Sequence, residues 1–136
     1  MPTLDDRGVI FDATQQPPEG RIAYFTSLCP LRSGTILCGC QNGPGKHSPK
    51  STIRLSRSVD GGQTWELLPA RFETRIGGVP GSLAAAELVE AAPGRLLLFA
   101  TWFNRSDPDR PLFDPVTEGI LKSKQLLSVA TDDGLT

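Results

Sequence analysis

The turn Ser58-Val59-Asp60-Gly61-Gly62-Gln63-Thr64-Trp65 constrains this chain more than any other segment. Two consecutive glycines can take up positive φ, and the aspartate before them can accept hydrogen bonds from the turn's own amides. Thr64 and Trp65 favour extended backbone, and the indole can anchor the following strand on a core. The segment reads as the corner of a β-hairpin. It also recurs. Ala130-Thr131-Asp132-Asp133-Gly134-Leu135-Thr136 repeats the aspartate, glycine and threonine at the same spacing, with alanine replacing the serine. Two copies of one corner in 136 residues imply a repeat architecture. The sequence stops where a second tryptophan would follow, which is the expectation for part of a longer protein.

The segments between the corners repeat as well. Residues 1–20 form an irregular lead-in. Short apolar runs then follow at about 21–29, 35–40, 52–58 and 65–68, separated by glycine- and proline-bearing turns. Alternation in Thr52 to Ser58 suits a half-buried strand. A second cycle runs from Ser82 to Glu90, through Arg95 to Phe103, to Gln125–Thr131; the Ala84-Ala85-Ala86 run in its first segment suits helix as well as strand. The expected class is all-β, in two four-stranded antiparallel units, about 21–75 and 79–136, the second of them truncated. Gly34 and Gly94 lie 60 residues apart, whereas Asp60 and Asp132 lie 72 apart. The second unit therefore carries a 12-residue insertion between its second and third strands, within Asn104 to Gly119. Long ordered loops are disproportionately functional.

Composition narrows the function classes. A net charge of −1 gives no electrostatic footprint for nucleic acid or an anionic membrane. No apolar run approaches the roughly 20 residues that span a bilayer. The first residues lack the basic and apolar regions of a signal peptide, so the cytoplasm is favoured. Cys29, Cys38 and Cys40 are expected to be buried free thiols. With one histidine and no second Cys-x-Cys pair, neither metal nor cofactor is expected.

Ser58, Asp60, Gly62, Thr64 and Trp65 fit S-x-D-x-G-x-T-W, and Asp132, Gly134 and Thr136 fit part of it. This resembles the Asp box (BNR repeat) of sialidases and other β-propellers. The resemblance spans most of residues 20–136 and implies a partial sialidase-like propeller, six-bladed when complete. It also implies retaining glycoside hydrolysis of the exo-α-sialidase type with a tyrosine nucleophile, on a glycan whose carboxylate is held by arginines. The two blades would require the remaining blades as partners and would be inactive alone. A non-catalytic Asp-box propeller that binds glycan or protein is the alternative.

Antiparallel order puts the first-to-second and third-to-fourth turns at one end of each unit, and the second-to-third loops at the other. The resemblance makes the Asp boxes structural and places chemistry at the opposite end. Arg21 resembles the first sialidase arginine, whose guanidinium pairs with a substrate carboxylate, or it is a solvated charge at a strand start. Lys46, His47, Arg105, Asp114 and Glu118 are candidate ligand contacts, or charges that keep loops soluble. Trp102 reads as core or as a sugar-stacking surface. The match departs from the family at the first strand, which reads Arg21-Ile22-Ala23 where sialidases have Arg-Ile-Pro. Aligning Ser27-Leu28 instead puts Tyr24 at the arginine's place. The loop Lys46 to Thr52 holds no carboxylate where the family carries its acid/base aspartate.

Overall fold

The computed structural model describes residues 7–134. Thr136 of the second corner lies outside the described residues. Two 3-10 turns, Ala13–Gln15 and Pro18–Gly20, order the lead-in. Seven strands follow: β1 (Ile22–Pro30), β2 (Ile36–Gly43), β3 (Thr52–Ser58), β4 (Glu66–Leu67), β5 (Gly81–Ala92), β6 (Arg95–Asn104) and β7 (Ser123–Ala130). They form two antiparallel sheets in sequence order, β1-β2-β3-β4 and β5-β6-β7. The architecture is all-β: a partial, unclosed propeller. The alanine run is strand within β5, where its apolar neighbours Leu83 and Leu88 are buried.

The repeat is visible in the backbone. The ladder between β1 and β2 slips between Tyr24 and Ser27, and that between β5 and β6 slips between Ala84 and Glu87, 60 residues on. Each bulge holds one non-glycine residue at positive φ, Phe25 at 51° and Ala85 at 57°. Gly61 and Gly62 (φ 73° and 93°) correspond to Asp133 and Gly134 (φ 55° and 78°). The 12-residue offset falls in the β6–β7 loop, as the spacing requires.

The sheets pack face to face. Leu37 and Ile53 from the first sheet are wholly buried against Leu83, Leu88, Leu96, Leu98 and Trp102 from the second. Gly39 permits this approach, because an added Cβ would lie 3.0 Å from Ala86 Cβ. Leu83 N–H donates to Ser51 O (2.9 Å) and Leu88 N–H to Ser27 Oγ (3.1 Å), stitching β5 to the first sheet. Trp102 belongs to this core, 3% exposed, with Nε1 donating to Thr74 O at 2.8 Å. The far face of the second sheet presents Val89, Phe99, Leu127 and Val129, each about half exposed.

Register fixes the two ends. Pro30 pairs with Ile36 and Ile36 with Ser58, so the β1–β2 and β3–β4 turns share one end. At the other end Ile22 pairs with Gly43, Gly81 with Asn104, and Phe103 with Ser123. The loops 44–51 and 105–122 both emerge there. The longer loop is anchored by a small core of Phe103, Leu112 and Leu121, and closed by a bridge between Phe113 and Ile120.

Candidate functional site

The Ser58–Trp65 corner is built from its own polar groups. Ser58 Oγ donates to Asp60 Oδ1 (2.8 Å) and accepts from Gly62 N–H (2.9 Å). Asp60 accepts from Thr64 N–H (2.9 and 3.1 Å) and Thr64 Oγ1 (2.6 Å), while Trp65 Nε1 donates to Gly62 O (3.0 Å). These donors, the Thr64 hydroxyl first, pull the Asp60 carboxyl down to about 2. Each carboxylate oxygen is occupied within the turn, which leaves Asp60 poorly placed for acid–base work. The corner after β7 is tied to the first sheet, since Arg71 Nη1 donates to Gly134 O at 3.0 Å.

The opposite end is different. Arg105 follows directly on β6 and is only 4% exposed. Its amide donates to Pro80 O (2.8 Å), its Nε to Ser82 Oγ (2.9 Å) and its Nη2 to His47 O (2.9 Å). All three partners are neutral, and among the described residues no carboxylate lies within ion-pair distance. Among the described residues none hydrogen-bonds to Nη1, which is not sealed from solvent. Burial pushes the guanidinium below its ordinary value, and Tyr24 offsets part of that. A buried arginine normally has an anionic partner, because desolvating a cation costs several kcal/mol.

His47, which accepts from Arg105, connects it to Tyr24, Gln41 and Phe113. The Tyr24 hydroxyl accepts from Gln41 Nε2 and from His47 N–H, each at 2.7 Å. The His47 ring meets Tyr24 (centroids 6.4 Å) and Phe113 (5.5 Å) edge to face. Burial, then the charges of Lys46 and Arg105, push His47 below its ordinary value. The local field is thus positive and favours an anion.

The sequence candidates divide. His47 and Arg105 come together directly, and exposed Lys46 adds charge beside them. Arg21 is exposed and turns back to donate to Gln16 O at 3.3 Å. Asp114 Oδ1 caps its own turn, accepting from Val116 N–H (3.0 Å) and Thr117 N–H (2.9 Å). Glu118 is exposed at φ 56°. Neither carboxylate pairs with Arg105. Ser82 and Phe113 carried no sequence signal as site residues; Gln41 offered one, as a long polar side chain beside Asn42 in a strand whose other residues are small or apolar.

Two solved structures share this arrangement of sheets. The leech intramolecular trans-sialidase, complexed with 2,7-anhydro-Neu5Ac, is similar over 71% of this chain at 24% identity and a TM-score of 0.57. The intramolecular trans-sialidase from Ruminococcus gnavus, in complex with oseltamivir carboxylate, is similar over 70% at 23% identity and a TM-score of 0.55. The fold is of the sialidase type. The chain spans 17% and 24% of the length of those two sialidases. No family model matches the chain, and no curated protein does.

Proposed function

We propose that this chain supplies two blades of a sialidase-like glycoside hydrolase acting on glycans, and that its contribution is anion recognition. The observation that carries the reading is Arg105: a buried guanidinium with neutral partners, one free N–H edge, and a positive surround at the loop end. A ligand carboxylate would complete it, as Arg–carboxylate pairs are among the strongest polar contacts proteins make. Two intramolecular trans-sialidases with this fold were solved with 2,7-anhydro-Neu5Ac and with oseltamivir carboxylate, which supports a carboxylate-bearing ligand. Ser58 to Trp65 and Asp132 to Thr136 are, on this reading, structural Asp boxes at the end away from the ligand. The half-exposed apolar face of β5-β6-β7 is then where further blades pack. Bond cleavage requires groups outside these two blades, so the chain alone is expected to bind without turnover.

A non-catalytic propeller that binds glycan is the second reading, favoured by the absence of any carboxylate in 44–51. The test has two arms. Titrating the 15N-labelled chain with the methyl α-glycoside of N-acetylneuraminic acid should shift the amides of His47, Ser82 and Arg105, and Arg105→Gln should abolish the shifts. A longer form of the protein should release a fluorogenic sialoside. Binding without release selects the second reading; no binding in either form refutes both.

A further inference from the structure

Tyr24 and His47 have features that a solvent-filled loop end does not require. A tyrosine hydroxyl has one proton to donate and two lone pairs to accept with. Gln41 Nε2 and His47 N–H, each 2.7 Å away, occupy both acceptor positions. Gln41 is itself 2% exposed, so this donor is fixed from beneath. In this amide orientation, which leaves the buried Gln41 Oε1 without a hydrogen bond, the Tyr24 proton points away from both partners, on a side chain that remains half-buried rather than sealed.

His47 links this hydroxyl to the arginine through its backbone alone. Its N–H donates to Tyr24 Oη, and its C=O accepts from Arg105 Nη2 at 2.9 Å. One residue can aim both groups at partners from two different sheets here because it sits at φ 63°, in the left-handed region. A residue with a Cβ is strained there. Such strain persists where surrounding structure enforces it, and it concentrates at ligand sites.

We infer that Tyr24 is a ligand-contacting hydrogen-bond donor and that His47 is the positioning residue that sets it beside Arg105. The two form a clamp of one neutral and one cationic donor for a single carboxylate. One buried positive charge matches one negative charge, so the clamp prefers a carboxylate to a phosphate dianion. This rests on the anion-recognition reading above and adds the second donor and the charge preference.

The experiment is a binding series on the whole chain, read by NMR titration. The probes are the methyl α-glycoside of N-acetylneuraminic acid, its methyl ester and glucose 6-phosphate. Tyr24→Phe keeps the ring and should weaken binding of the acid roughly tenfold, as expected for a lost hydrogen bond to a charged group. His47→Gly should lose less affinity than His47→Val, since glycine adopts φ near 60° freely; His47→Val should lose about as much as Tyr24→Phe. The wild type should bind the acid more tightly than either the ester or the phosphate. Wild-type affinity in Tyr24→Phe, with binding abolished in Arg105→Gln, would overturn this inference and leave the anion-recognition reading standing. Equal affinities for His47→Gly and His47→Val would overturn the positioning role, and a preference for the phosphate would overturn the charge match. No acid binding by the wild-type chain would sink both.

Discussion

Replacing Gly81 with alanine should damage this protein more than a single methyl group suggests. Gly81 opens β5 at the loop end, opposite Asn104, and its φ is ordinary for any residue. What requires glycine is the Trp102 indole. A Cβ built on Gly81 would fall 1.8 Å from Nε1, 2.3 Å from Cε2 and 2.7 Å from Cδ1. The ring cannot yield cheaply, because it is 3% exposed, packs in the main core and donates to Thr74 O at 2.8 Å. Relieving an overpacked core costs about 1–3 kcal/mol. Orphaning the buried indole N–H adds about 1–3 kcal/mol. A destabilisation of about 2–6 kcal/mol follows, or a fall of roughly 1–3 M in the urea midpoint at a slope of about 2 kcal/mol/M. Urea denaturation followed by tryptophan fluorescence measures it. In a Trp102→Leu background the same Gly81→Ala change should cost less than about 1 kcal/mol, since the clashing ring is gone. A single mutant within about 0.5 kcal/mol of wild type, or an equal cost in both backgrounds, would refute the packing argument.

Two further outcomes follow from the titrating groups. Asp60 is held at about 2, below its ordinary 3.8, so the folded state binds its proton less readily than the unfolded state. Its contribution is complete above that ordinary value and is lost as pH falls towards 2. Thermal melts between pH 5 and pH 2 should therefore separate wild type from Asp60→Asn at the upper end and converge at the lower; parallel curves would contradict the hydrogen-bonding account. Burial raises the Cys38 thiol and pushes Cys40 up to about 11, so neither supplies thiolate at neutral pH. The folded chain should react with iodoacetamide far more slowly at these two thiols than the urea-unfolded chain does, and rapid labelling of folded Cys40, read by mass spectrometry, would count against its burial.

Much of the fold was legible because its determinants are local. Turn chemistry at Ser58 to Trp65 and period-two alternation in Thr52 to Ser58 are each written within a few residues, and the insertion follows from comparing the Gly34–Gly94 and Asp60–Asp132 spacings. Antiparallel order then dictates which loops share an end. The alanine run was ambiguous because alanine suits both helix and strand; burial of Leu83 and Leu88 against the first sheet made it strand. The candidate site was less legible. Arg21, Asp114 and Glu118 carry the right chemistry at the right end, yet Arg21 reaches back to Gln16 O and Asp114 caps its own turn. Nearby backbone groups were available to them at little entropic cost.

The sequence alone thus determined the all-β class, the repeated corner, the place of the insertion and the end of the sheets at which long loops gather. Tertiary structure decided which charge is buried without a counter-ion. Arg105 acquires its setting from Ser82 and from His47, which are 23 and 58 residues away. Pairing of β5 with β6 brings Ser82 to it, and packing of one sheet against the other brings His47. Local sequence fixes backbone direction, whereas the environment of a side chain depends on what distant segments deliver to it.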